Sequence, residues 1–581
     1  MRESLDTRRP RLVLTLFCLL LWLPGFFTLP PGDRDESRFV QATKQMLETG
    51  DVVTIRNGQE ARNRKPIGIH WLQLPFAAVA HAAGLAEANP VWPYRVPSLL
   101  GGWVAVLGTY EIGRRLLDRR AALLGAGVLA ASVVLVVETH IAKTDAALLG
   151  VTVLAMGVLA RAWWASGAGA AGADGTGAGG TGAGGTGRGI GRASGGLGAG
   201  GAALFWLASA AGVLIKGPIL LLVVGSAILA LVLWERRAAW VLALRPGWGV
   251  PLMLAAVLPW FVAIGVATEG RFFADSVGGD LGRKLASGDE SHWGPPGLHL
   301  LLLPLLLFPA TAVLPGALWA AWRDRTDPAV RFLIAWAGPA WLVFEAAPTK
   351  LPHYTMPLLP AVCLLVARFA LGPMTAPRWA WAWGLGAGLL VLAAAVLGAG
   401  AVALPVVLGA PVWLGLPGLA AAASVGWLAL RSRGRRGVLA GLAAVPLVYW
   451  AILGLELPRL EPLWIAPRVV EALRQHPPPP ARPDVTLPPG VSHAAPLGAV
   501  GFHEPSLMLL AGTDTRWIAT GEEGARALAA GGVRLLLVEG RNLAAFRDEA
   551  ARLGLHPREL DRIEGFNISR GRRVVLTLFG L

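Results

Sequence analysis

Charge is scarce in this sequence. Only 15% of its 581 residues are Asp, Glu, Lys or Arg, against 54% hydrophobic, and the mean hydropathy is +0.54. So few charges cannot cover the surface of a soluble protein of this size, and many apolar runs reach spanning length, so the chain reads as a polytopic membrane protein. Cysteine is nearly missing. Cys18 and Cys363 both fall inside apolar segments, which argues against a disulfide framework and leaves the redox compartment unread. No small-residue cleavage site follows the first apolar run at 11–29, which is therefore expected to remain as a first span. Internal repeats and charges at mid-membrane depth, the marks of secondary transporters, are also missing. A transporter or lipid flippase is the alternative reading. A non-enzymatic scaffold with an external sensor domain is a third.

The charge that is present has a pattern. The formal net charge of +15 comes from short arginine clusters between apolar runs, which suits loops facing anionic lipid and speaks against nucleic-acid binding. Runs of about 17 to 25 apolar residues predict about thirteen transmembrane helices. Arg8/Arg9, Arg114/Arg115/Arg119/Arg120, Arg236/Arg237, Arg323/Arg325, Arg378 and Arg431/Arg433/Arg435/Arg436 fall at alternate span ends. The positive-inside rule then puts the N-terminus in the cytoplasm and the C-terminus outside, for a multi-pass protein of the cell inner membrane.

Residues 1–457 are expected to form the membrane domain. Its first external loop, 30–95, carries helix-like stretches at 36–48 and 67–83, the second suited to lying in the membrane interface. Residues 166–200 are Gly-rich and read as a flexible cytoplasmic linker. From 458 to 581 hydropathy collapses. Helical stretches at 467–474, 522–530 and 543–553 alternate with β-like runs at 533–538 and 573–579, predicting a small α/β domain outside the membrane.

Acids and bases collect at one predicted face: Asp35, Glu36, Arg38, Lys65, Asp145, Lys216, Arg283 and Lys350, with Tyr354 beside the last. A single charge at a span end is usually a snorkelling side chain, but so many on one face suggest a site for a charged, lipid-borne substrate. A carboxylate there can deprotonate an acceptor hydroxyl or amine. Lysines and arginines can stabilise the charge growing on a departing phosphate. His292 and His299 lack the spacing of metal ligands, and no metal is assigned.

The ordered strings Asp35-Glu36-Ser37-Arg38-Phe39, Arg64-Lys65-Pro66, Thr144-Asp145, Lys216-Gly217-Pro218 and Lys350-Leu351-Pro352-His353-Tyr354 resemble those of polyprenyl-phosphate-dependent glycosyltransferases. The resemblance is to the aminoarabinose transferase and protein mannosyltransferase group, which has the GT-C fold. It covers residues 1 to about 370, and the tail strings Gly501-Phe502-His503-Glu504-Pro505 and Gly565-Phe566-Asn567 resemble tails of bacterial members. It implies transfer of a sugar from a polyprenyl (undecaprenyl) phosphate to an envelope acceptor such as lipid A or a protein, with inversion. It further implies a catalytic role for Asp35, organisation of acceptor or phosphate by Asp145, and phosphate contacts from Lys65, Arg283 and Tyr354. Aminoarabinose transferases carry an acid before the loop lysine and a later histidine, thought to hold a metal. Arg64 and Asp280 stand in those places here.

Overall fold

The computed structural model describes residues 7–85, 90–166, 197–276, 293–372, 377–479 and 495–581. Arg283 and most of the Gly-rich 166–200 stretch lie outside them. Among the described residues seven helices are long and apolar enough to cross a membrane, and an eighth if one bent pair counts as a single span. Three shorter apolar helices accompany them, so this tally falls below the expected thirteen.

The N-terminal half runs α1 (Pro10–Trp22), α2 (Asp35–Thr49), α3 (Gly68–Ala80), α4 (Trp92–Leu116), α5 (Arg119–Ala131), α6 (Val133–Thr139), α7 (Thr144–Ala165), α8 (Ala199–Lys216), α9 (Ile219–Glu235) and α10 (Pro246–Ala267). The pair α5/α6 bends by 60° at Ser132, which turns the last residues of α6 back into the bundle. The expected stretches at 36–48 and 67–83 are α2 and α3.

Helix α7 packs between α4 and α8. The crossing with α4 depends on small residues. A Cβ on Gly101 would lie 2.5 Å from the Ala146 carbonyl oxygen, and one on Gly150 2.7 Å from that of Gly101, so only glycine permits this approach. A Cβ on Gly68 would sit 2.6 Å from the Leu214 backbone, so α3 begins directly against the end of α8. These contacts fix the starts of α3 and α7 and the end of α8 beside one another.

Helices α11 (Leu298–Leu306), α12 (Leu314–Arg323), α13 (Pro328–Ala346), α14 (Leu359–Leu371), α15 (Ala380–Leu408), α16 (Leu416–Leu430) and α17 (Arg435–Ala444) complete the bundle, with α14 buried against α5 and α12. The tail opens with α18 (Ile465–Gln475) and forms a five-stranded sheet of order β4-β3-β5-β7-β6, after a small β1/β2 hairpin (Arg56–Asn57, Glu60–Ala61) in the first loop. Strands β3 (Ala495–Val500), β4 (Arg516–Ile518) and β5 (Val533–Glu539) are parallel, whereas β7 (Arg572–Gly580) pairs antiparallel with β5 and β6 (Arg558–Asn567). Helices α19 (Pro505–Ala511), α20 (Gly521–Ala529) and α21 (Leu543–Arg552) cover it. The helical and β-like runs expected at 522–530, 543–553, 533–538 and 573–579 are α20, α21, β5 and β7.

Candidate functional site

Helix α2 starts at Asp35 and is anchored by its second residue. Arg95 of α4, 2% exposed, holds both oxygens of the 5% exposed Glu36 at 2.8 and 3.0 Å, and Glu36 also accepts from the Gly32 and Ala142 amides. The remaining donors of Arg95 go to the carbonyls of Phe26, Leu29 and Pro30. A charge pair this deep is retained only when every lone pair is satisfied, and here each is. Glu36, expected to bind substrate, is thus committed to joining α2, α4 and the loop before α7. Asp35, one residue earlier, is turned roughly 100° away on the helix and its side chain remains 54% exposed.

Around Asp35 the chain gathers charge from four segments. Arg62 approaches it at 3.9 Å, and Arg62 and Lys65 both stand over the Phe39 ring, 4.8 and 4.9 Å from its centroid. The loop between α6 and α7 brings Lys143, whose Nζ is 2.9 Å from Glu138 and 3.8 Å from Asp145. Ser98 fixes that loop by donating to the carbonyls of Ile141 and Lys143. Asp145, in the first turn of α7 where the helix dipole favours an anion, is ion-paired with Lys216 at the end of α8. Lys216 in turn lies 5.3 Å over the Tyr354 ring, and His353 faces Glu138 at 3.5 Å and Asp145 at 3.7 Å. Four cations, Arg62, Lys65, Lys143 and Lys216, therefore surround three carboxylates, Asp35, Glu138 and Asp145. The surplus is positive before Arg38 is counted.

These fields set the protonation states. Burial would raise the Asp35 carboxyl, but Lys65, Arg62, Lys143 and Arg38 together hold it below the ordinary value, so it is a carboxylate at neutral pH. Burial lowers Lys65 to about 8, with Lys216 pushing the same way and Asp35 and Asp145 opposing. Lys143 is raised: Glu138 and Asp145 outweigh its burial. Burial, with Lys143, Lys216 and Lys65 nearby, lowers His353 to about 3 against the pull of Asp145, leaving a neutral imidazole. The contact the Lys65 ammonium makes is with the Phe39 ring, and one oxygen of the buried Glu138 has no hydrogen-bond partner among the described residues. The site thus gathers an exposed carboxylate, Asp35, with Arg62, Lys65, Lys143 and Lys216 in one charged cluster.

The expected residues divide accordingly. Asp35, Lys65, Asp145, Lys216 and Tyr354 come together. Arg38 lies at the edge, lining a cleft of about 370 Å³ with Arg62, Arg64 and Asn63. Lys350 does not join: its ammonium donates to the carbonyls of Gly294 and Ala347, where it braces the strand-like contact of Trp293 with Thr349. Glu138, Lys143 and Arg62 were not anticipated, and His353, although inside one of the resembling strings, was given no role. Glu138 is hidden in sequence by the valine run before it; an acid closing an apolar run and followed five residues later by lysine was the available signal. Among the described residues no three His, Cys, Asp or Glu side chains are grouped to hold a metal ion. Lys143, Lys216 and His353 already occupy the space between the carboxylates.

The opposite face of α2 belongs to the tail. Gln41 donates to Thr513, Thr513 to Glu48, and Lys44 to the Leu509 carbonyl, while Ser506 binds Asp33 and Arg34 the Ser569 carbonyl. Arg34, immediately before Asp35, has φ +65°, a strained conformation for a residue with a side chain, and these contacts hold it.

Sequence and structure comparisons place the chain among known folds and relatives. The family model for dolichyl-phosphate-mannose-protein mannosyltransferase matches residues 64–170. The undecaprenyl phosphate-alpha-4-amino-4-deoxy-L-arabinose arabinosyl transferase of Yersinia pestis is 28% identical over 270 residues, 44% of this chain and 48% of that protein. That of Pseudomonas paraeruginosa is 33% identical over 169 residues, 29% and 30% of the two chains. The chain thus spans about half, or less, of the curated relatives it matches. In fold the agreement covers nearly everything: the crystal structures of ArnT from Cupriavidus metallidurans, bound to undecaprenyl phosphate and in the apo state, superpose with TM-scores of 0.71 and 0.69 over 97% of both chains, at 19% and 20% identity. The chain is a multi-pass membrane protein with the GT-C fold, similar to the polyprenyl-phosphate-dependent glycosyltransferases of the aminoarabinose transferase and protein mannosyltransferase kind.

Proposed function

We propose that the protein transfers a sugar from a polyprenyl-phosphate donor to an acceptor of the cell envelope, a glycolipid such as lipid A or a protein, with inversion at the anomeric carbon. The observation that carries this reading is the exposed Asp35 carboxylate, held ionised by Lys65 and Arg62 within a cluster of charged side chains that has more cations than anions. Asp35 takes the proton of the acceptor hydroxyl or amine as that atom attacks the anomeric carbon. The bond from that carbon to the phosphate oxygen breaks, and its electron pair leaves with the phosphate. Lys65, Lys216 and Lys143 stabilise the charge that collects there, with Tyr354 beside them, and Asp145 holds Lys216 and Lys143 in place. Arg38 and Arg62 border the acceptor side.

The division into a membrane part, 1–457, and an external part, 458–581, belongs to the same proposal, as does an inner-membrane location with the N-terminus cytoplasmic. Arg119, Arg120 and Arg435 meet in one cleft beside Leu371, at the end of α14 opposite His353 and Tyr354, which supports placing the arginine-rich loops on one side and the site on the other. Two experiments test the reading. Purified protein given a labelled polyprenyl-phosphate sugar should release polyprenyl phosphate and label an envelope acceptor. Envelope lipids and glycoproteins from cells lacking the gene should miss one sugar mass. Movement of donor across a vesicle membrane with no covalent product would instead mark a transporter.

A further inference from the structure

A second cavity opens at the far end of the bundle. It has a volume of about 300 Å³ and lies between α12, the start of α13, the end of α14 and the turn before α15. Helix α14 begins five residues after Tyr354 and presents this cavity with Leu365 to Phe369, so its 13 residues, about 20 Å long, separate the cavity from the site already described. The floor is apolar, built from Ala317, Ala321, Phe369 and the buried Trp379, which meets Phe369 edge-on at 4.8 Å. The small alanines of α12 leave the room.

The rim is basic. Arg323, Arg368 and Arg378 border the cavity, with Asp324 the single acid on its lining. Arg368 is committed to Asp327 at 3.0 Å and approaches Asp324 at 3.9 Å. Arg323 and Arg378 have no carboxylate partner among the described residues, and Arg378 rests 5.9 Å over the Trp379 ring. Across Leu371, Arg119, Arg120 and Arg435 line the neighbouring cleft.

Depth decides what would enter. Trp319, Trp322 and Trp381, on the elements that frame the cavity, are exposed, with Trp319 and Trp381 edge-on at 6.1 Å. Exposed tryptophans at the end of an apolar bundle settle at the level of lipid headgroups. An apolar floor below arginines at that depth matches a molecule with an anionic head and a hydrocarbon chain. We propose that this cavity binds an anionic glycerophospholipid of the leaflet remote from the transfer site, its phosphate between Arg323 and Arg378 and the start of its chain on Phe369 and Trp379.

The test measures lipid retained by the purified full-length protein, by native mass spectrometry, after exchange against phosphatidylglycerol, phosphatidylcholine or inorganic phosphate. Phosphatidylglycerol should be retained over phosphatidylcholine. Arg323→Gln with Arg378→Gln should cut that preference on the order of tenfold or more, and Asp324→Asn should raise it. The pair Arg431→Gln and Arg433→Gln, arginines outside the cavity lining, should leave it unchanged. Equal retention of the two lipids, a preference insensitive to Arg323 and Arg378, or the same loss from the Arg431 and Arg433 pair would overturn the assignment. So would displacement of the lipid by millimolar inorganic phosphate, which would make this an anion site rather than a lipid site.

Discussion

Lys65→Arg should change how activity depends on pH while leaving activity near neutrality largely intact. Burial and the Lys216 charge bring the Lys65 ammonium down to about 8, so its charged form is present below that pH and lost as pH rises through it. From a pKa of about 8, roughly nine-tenths of the protein carries this charge at pH 7 and roughly one-tenth at pH 9. If Lys65 stabilises the departing phosphate, kcat/KM, which reports the free protein, should fall about tenfold across that interval. Arginine at this position stays charged throughout and should flatten the profile. Lys65→Met should lower transfer on the order of 10²-fold at pH 7, since it removes a donor aimed at developing charge. The assay is transfer from a labelled polyprenyl-phosphate sugar at pH 6 to 9.5, with donor far below saturation. An arginine variant that shows the same alkaline fall, or a wild-type profile flat to pH 9.5, would refute the reasoning.

Other consequences follow from the same contacts. Asp35 is held below the usual carboxylate range, so wild-type transfer should persist as pH falls to about 5, with no loss of the base on the acid side before global unfolding. Arg95→Met strands the buried Glu36 carboxylate and should destabilise the fold by about 3–5 kcal/mol, read as a lowered Tm in detergent. Asp145→Asn and Lys216→Met should each impair transfer, and together cost far less than the product of the two effects, because each removes the other's partner. Ser506→Ala, outside the pocket, should reduce kcat with little change in donor KM, because it loosens Asp33 and the strained Arg34 that set the start of α2. Restoration by Ser506→Thr would separate this positioning effect from general damage.

Much of the fold was legible because bilayers impose strong rules. Spans must be apolar, and the loop helices at α2 and α3 follow simple periodicity. The helix tally was less secure: bends such as that at Ser132 and short helices such as α11 divide or shorten apolar runs in ways composition does not show. At the site, topology put Asp35, Lys65, Asp145 and Lys216 on one face, and the resemblance implied roles for Asp35, Lys65 and Asp145. Which of two adjacent acids faces the pocket could not be read, since Asp35 and Glu36 are chemically alike and only the 100° step of a helix, plus an arginine fifty-nine residues away, assigns one to the pocket and the other to the core. Lys350 misled for the opposite reason. Backbone carbonyls left free by an irregular turn took up its charge, and carbonyls carry no signature in sequence. Glu138 and His353 enter the site through long-range packing of α6 and the loop before α14, so neither the acid that closes a valine run nor the histidine inside a resembling string showed which partners it would meet.

The most direct test of the central claim is a single-turnover measurement with the purified protein, a labelled polyprenyl-phosphate sugar and an envelope acceptor, comparing wild type with Asp35→Asn. The wild type should give an inverted glycosidic product, and the variant should still bind donor but transfer at a rate lower by about 10²- to 10⁴-fold. Undiminished transfer by Asp35→Asn, or a product of retained configuration, would contradict that claim.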